Sequence, residues 1–337
     1  MRQCNDTKEE GNWYPSMTEM LYNGICLPKD WPPKNLSETS REPLSVPYLK
    51  NPPSVIPINV GRQVFVDDFL IEHTTLHRSF HTPRLYEHSP ILKPETSLEM
   101  NNGICPVACP FNDGVFYDPK DQLLMIGFSR DGFHWDRTNR HPFIASSQKE
   151  GTWNRAYLHS AGGSCLIVGD EIYFYFGAWS GLSPKLGGHM YAGGSTGLAL
   201  LRRDGFASLD ADTSPGSLTT RLVTFKGKYL FVNTNTKDGE LRVEILDQND
   251  QVIVPFSSNN CHSICTNKTM QMITWQDVED VSPLIDKPVK FKFDLTNGQL
   301  YSFWVSPDLS GASYGCIAAG GPGFTGPVDT IGVTQYH

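Results

Sequence analysis

From Ser217 to Ser306 short apolar runs alternate with turn pairs, and no other feature restricts the fold so strongly. The runs are Ser217–Thr224, Tyr229–Asn233, Glu240–Leu246, Gln251–Pro255, Met270–Trp275, Val289–Leu295 and Gln299–Ser306. Lys226-Gly227, Asp238-Gly239, Asn249-Asp250 and Asn297-Gly298 punctuate them. Gly, Asn and Asp take the backbone angles that tight hairpins demand. Within Glu240–Leu246, Leu241, Val243 and Ile245 alternate with Arg242 and Glu244. Successive side chains of a strand point to opposite faces, so one face is buried and the other wet. The spacing predicts an antiparallel β-sandwich over residues 208–337.

Upstream the texture differs, but it is still that of strands. Gln63–Val66, Phe69–Glu72 and Leu76–Phe80 read as strands. Cys109–Phe128 reads as a hairpin turning at Asp118-Pro119-Lys120-Asp121. Ser129–Trp135, SRDGFHW, is a tight turn capped by an Asp and anchored by an aromatic, and RRDGF at Arg202–Phe206 repeats it in part. Repeated corners of this kind are typical of propeller blades. Ser164–Val168 and Glu171–Phe176 form a hairpin about Gly169-Asp170, and a long Gly-rich loop, Ala178–Gly197, leads to a strand at Leu198–Leu201. Residues 1–60 carry WPPK and NPPS, and proline removes ladder donors, so this stretch reads as an extended arm whose aromatics dock. The expected organisation is all-β: arm 1–60, an incomplete, five-bladed-type β-propeller over 61–207, and a sandwich over 208–337. At roughly 40–50 residues per blade, the middle unit has room for about three.

Only 19% of the residues are charged and the formal net charge is -8, a poor basis for gripping a phosphate backbone, so nucleic acid is not an expected partner. No apolar run approaches the roughly 20 residues of a membrane span, and residues 1–20 lack the apolar core of a signal peptide. Sequons at Asn5, Asn35 and Asn267 favour an extracellular setting. The eight cysteines include two C-x-x-x-C pairs, Cys105/Cys109 and Cys261/Cys265, read as buried thiols or as one or two disulfides. No zinc or other metal spacing stands out, and no cofactor is implied.

VFVDDFLIE, PFNDGVFYDPKDQL, SRDGFHWDR, GGSTGLALLRRDGFASLDA, GELRVEILDQNDQVI and GQLYSFWVSPDLSGASYGCIAAGGPGF resemble proteins similar to the N-terminal region of glycoside hydrolase family 32. The resemblance runs from about Gly61 to the C-terminus. It implies a five-bladed propeller followed by a β-sandwich, here shortened, and retaining cleavage of fructosides by paired carboxylates. Asn112-Asp113-Gly114 is similar to the family's nucleophile run without its Pro-Asn, which makes Asp113 the position carried over as nucleophile. The family's Arg-Asp-Pro and Glu-Cys elements have no counterpart.

For the acid/base, the residues available are Glu72, Glu95, Glu99 and Glu171, and Glu99, between a Pro-rich loop and Cys105, is the candidate taken. Asp67 and Asp68 follow a strand and are candidates to line a binding centre. Sugar rings stack on aromatic faces, so Trp153, Tyr157, His159 and Trp179 are candidates for binding carbohydrate. Two readings stand: a glycoside-hydrolase-like enzyme with Asp113 as nucleophile, or a non-catalytic carbohydrate-binding or structural protein that keeps the scaffold.

Overall fold

The computed structural model describes residues 17–28, 45–108, 126–136, 138–317 and 320–330. The hairpin's Asp113, the sequons at Asn5 and Asn35, and Trp13, Tyr14 and Trp31 of the arm lie outside the described residues. Strands hold 40% of the described residues and helices 5%, so the chain is all-β.

Two antiparallel sheets carry the centre. In the first, the order is Asn267–Met272, Tyr229–Asn235, Gly298–Ser306, Ala207–Ala211 and His77–Phe80, with Gln63–Val64 also pairing on Gly298–Ser306. In the second it is Glu240–Leu246, Lys290–Thr296, Gly216–Thr220 and Ile71–Thr74. The alternation read in Glu240–Leu246 is present: Leu241, Val243 and Ile245 are buried and Arg242 and Glu244 lie on the wetter side. Their partners Phe291, Phe293 and Leu295 are buried in the same way. These side chains share one core with Leu230, Val232, Leu300, Phe303 and Val305 of the first sheet. Phe303 sits at its middle, with ring centroids of Phe293, Phe291 and Phe65 at 5.3, 5.6 and 5.7 Å.

Strand pairing crosses the expected boundary at 207/208. Ile71–Thr74 pairs with Gly216–Thr220 and His77–Phe80 pairs with Ala207–Ala211. The segment after Gly61 therefore completes the two central sheets. The arm also contributes: Ile25, Tyr48, Ile56 and Ile58 enter the core, and Ile56–Pro57 pairs in parallel with Val223–Thr224. Proline sits here at a sheet margin, where a missing N–H costs no ladder bond. Tyr48 docks as expected, at 1% exposure, whereas Tyr22 stays outside at 68%.

The rest of the middle segment contributes a third, four-stranded antiparallel sheet in the order Arg84–Leu85, Gly194–Arg202, Glu171–Trp179 and Tyr157–Val168. Among the described residues no sheet closes on itself. The long loop expected over Ala178–Gly197 is mostly ordered pairing. Glu171–Trp179 runs on to residue 179, a short hairpin of Leu182–Ser183 and Gly187–Gly188 follows, and the next strand begins at Gly194. Glycine hid these strand ends from a propensity reading. Gly177, Gly194 and Gly197 are glycines because the sheet's aromatics fill the space a Cβ would take. A Cβ on Gly194 would lie 2.6 Å from the Trp179 Nε1, and one on Gly197 would lie 2.4 Å from Trp153.

The two Arg-Asp-Gly-Phe corners differ. Asp131 Oδ1 accepts from the backbone N–H of Phe133 and of His134, both at 2.8 Å, and Oδ2 lies 2.6 Å from His134 Nδ1. Burial raises the Asp131 carboxyl, but the bonds from the His134 side chain and these backbone groups outweigh it and hold the carboxyl below its usual range. A depressed carboxyl stabilises the fold above its unfolded value of about 3.9, and this is lost as pH falls through the lower folded value. Asp131→Ala is expected to cost about 1–3 kcal/mol at pH 7 by leaving two amides unpaired. Chemical unfolding over a pH series should show the gap between wild type and variant closing below about pH 4. A gap constant down to pH 2 would contradict this.

The second corner reaches outward. Arg62 donates to Asp204 at 3.1 Å and its Nε is 3.6 Å from Asp329. Arg203 donates to the same Asp329 Oδ2 at 2.8 Å, as does the Ser313 hydroxyl at 2.7 Å. The Arg62 guanidinium lies 4.1 Å from the Trp304 ring centroid. This knot fastens the Ser313–Asp329 stretch over the outer side of the Gly298–Ser306 strand.

Of the cysteines, Cys26 is disulfide-bonded. Cys105, Cys165, Cys261, Cys265 and Cys316 are free thiols. Among the described residues no helix is long and apolar enough to cross a membrane, and no group of three or more His, Cys, Asp or Glu side chains could hold a metal ion.

Candidate functional site

The third sheet brings three of the four aromatic candidates together. Tyr157 pairs with Trp179, His159 with Gly177, and Gly194 with Trp179, which sets all of them on one sheet face. The rings of His159 and Trp179 are 4.6 Å apart, those of Tyr157 and Trp179 5.2 Å, and those of Tyr157 and His159 5.7 Å. Trp179 forms the floor at 6% exposure. Tyr157 and His159 are half-buried beside it. Tyr191, which sequence reading missed, adds a fourth ring 6.1 Å from Tyr157 and is 53% exposed. Leu182, Leu186 and Met190 are exposed on the adjoining hairpin. The signal for Tyr191 was its place in the Gly-rich run, but its distance from Tyr157 in the sequence concealed the contact.

Trp153 is not part of this face. It lies on the sheet's opposite side, 5.7 Å from Phe176, packed on Leu158, Ala178 and Ala199. Its role is packing.

The acidic candidates go elsewhere. Asp67 is buried and accepts from Arg130 Nε at 2.8 Å, with Arg130 Nη2 at 2.6 Å. Arg130 also bonds the Val64 carbonyl and lies 4.9 Å from the Phe69 ring centroid. Asp67 thus pins the first corner to the core and lines no open cleft. Asp68 is exposed and pairs with Arg78. Glu99 caps a short helix, Ser97–Met100: its carboxylate accepts from the Thr96 and Glu95 amides at 2.9 and 3.1 Å, and Thr96 Oγ1 accepts from the Glu99 amide. The Thr96 amide, then that of Glu95, hold the carboxyl below its usual range. A general acid needs the opposite shift, so Glu99 does not fit the acid/base role. The capping box T-S-L-E was visible in the sequence as a helix start.

A second concavity, of about 450 Å³, lies where the third sheet meets the first. His81, Arg84, Glu171, Arg202, Asn267 and Tyr301 are among the residues lining it. Of these, the sequence singles out Glu171 as an acid/base option and Asn267 as a sequon.

No family model, no curated protein and no solved structure matches this chain.

Proposed function

We propose that this chain is a carbohydrate-binding protein on a scaffold of the family 32 type, with Tyr157, His159, Trp179 and Tyr191 as the binding platform. On this reading the first and second sheets are the β-sandwich and the third is a blade-like sheet beside it. The observation that carries it is the convergence of four rings on one sheet face, with Tyr191 exposed. The axial C–H groups of a pyranose or furanose pack on such rings while its hydroxyls keep their water. Catalysis is not part of the proposal, because Glu99 is occupied as a helix cap.

The test is a panel of neutral oligosaccharides titrated calorimetrically against the full chain. Tyr157→Ala and Tyr191→Ala are each expected to weaken binding about tenfold, close to 1.4 kcal/mol. Glycan binding that neither substitution alters, or no glycan binding at all, refutes the platform. Hydrolysis of a panel member that Asp113→Asn abolishes would replace binding with the enzyme reading.

A further inference from the structure

We propose that the concavity between the third and first sheets is a second binding site, for a small neutral polyhydroxylated molecule, separate from the aromatic face. The proposal does not rest on that face. Glu171 and Trp179 stand at opposite ends of one strand, eight residues apart, which at roughly 3.3 Å per residue is about 26 Å.

Three observations carry the inference. The first is form. The walls come from stretches far apart in the chain: His81 and Arg84, the Asp170–Glu171 turn, Leu200–Arg202, Asn267–Thr269 and Tyr301. The volume, about 450 Å³, lies within the usual range of small-molecule sites, roughly 300–1,000 Å³.

The second is charge. The formally charged side chains of the lining are two guanidiniums, Arg84 and Arg202, and two carboxylates, Asp170 and Glu171, which cancel. Arg84 already pairs with Glu171 at 2.7 Å. An anion entering here would face both carboxylates, and a cation both guanidiniums. A neutral molecule bearing hydroxyls meets neither penalty, and each hydroxyl can both donate and accept.

The third is fixed polar geometry around a ring. Arg202 donates to Asn233 Oδ1 at 2.7 Å, Asn267 Oδ1 at 2.6 Å and the Thr234 carbonyl at 3.0 Å, and its guanidinium lies 4.7 Å from the Tyr301 ring centroid. Those three bonds use three of its five N–H groups and leave two. Tyr301 Oη donates to Gln299 at 2.8 Å and keeps its lone pairs. His81 Nε2 lies 2.7 Å from Ser208 Oγ, and that hydroxyl gives its one hydrogen to Asp210. Ser208 must then accept from His81, which places the imidazole hydrogen on Nε2 and leaves Nδ1 as an acceptor. Donors and acceptors are thus positioned around the buried Tyr301 ring before any ligand arrives, the arrangement that lowers the entropic cost of binding.

The experiment is calorimetric titration of the full chain with D-glucose, D-galactose, D-fructose and myo-inositol, beside inorganic phosphate and glycine. Saturable binding of at least one neutral compound is expected, weakened tenfold or more by Glu171→Ala and by Arg84→Ala. Both side chains are partly exposed, so these variants should fold. Binding of phosphate or glycine instead of the neutral compounds, no binding at all, or affinity indifferent to both mouth variants would each overturn the proposal.

Discussion

Asp329→Asn is expected to destabilise the fold by about 3–5 kcal/mol, the cost of breaking a buried ion pair from one side. Asp329 and Arg203 each expose 2% of their side chains and Arg62 exposes 5%. One carboxylate oxygen of Asp329 accepts from Arg203 and Ser313 and stands 3.6 Å from Arg62 Nε. Burial pushes the Arg62 guanidinium below its usual value, the neighbouring Arg203 adds to this, and Asp204 and Asp329 offset it only in part. The asparagine keeps the shape but removes the charge that the buried Arg203 and Arg62 guanidiniums face. Urea unfolding should show a lower midpoint at unchanged slope. Asp329→Asn with Arg203→Met should cost less than the sum of the two single changes, because the two side chains bond each other and each single change already removes that interaction. A loss under 1 kcal/mol, or strict additivity, would show that the knot does not hold the Ser313–Asp329 stretch.

How legible this was depends on the layer. Glu240–Leu246 has water on one side, so its alternation survived into the sequence and its bounds were read correctly. Gly298–Ser306 is covered on both faces, and its run of buried residues from Leu300 to Ser306 carries no alternation. The cover on its outer side is the Arg62–Asp204–Asp329 knot, whose charged members are 125 residues or more apart in the chain, except where Asp204 adjoins Arg203. No local pattern encodes such a layer. The boundary at 207/208 was drawn where the texture of the sequence changes, but pairing is decided by edge complementarity. Ile71–Thr74 and His77–Phe80 fill the edges of two sheets whose other strands, Gln63–Val64 apart, come more than 120 residues later.

The candidate site was legible in proportion to strand parity. Tyr157, His159 and Trp179 were chosen as aromatics, and period two places the first two on one face without further information. Trp153 precedes the strand, so parity said nothing of its side. Asp67 was read as lining a centre because it follows a strand, but Arg130, 63 residues on, claims it. Its partner lies in the SRDGF corner, a motif read for its own turn rather than for what its Arg could reach. The concavity at His81 and Tyr301 was invisible, since each of its walls belongs to an ordinary strand or strand end when taken alone.

Phe303→Ala should be the largest purely apolar loss, about 3–5 kcal/mol. The ring is fully buried and lies between Phe291 and Phe293 of the second sheet and Phe65 of the segment after Gly61. Removing it takes contacts from three segments at once, and aromatic neighbours cannot collapse into the space without leaving their own rotamers. Leucine at 303 refills part of the volume and should restore a substantial share of the loss. Trp304→Ala separates the two faces of the same strand. Its ring is stacked on Phe231 and under Arg62 on the outer side, so its loss should loosen the Ser313–Asp329 stretch in hydrogen exchange while the core amides of Phe291 and Phe293 stay protected up to global unfolding. Phe303→Ala should instead lower protection in both central sheets together. Equal exchange patterns for the two variants, or a Phe303→Ala cost below 1 kcal/mol, would mean that the two sheets do not share one cooperative core.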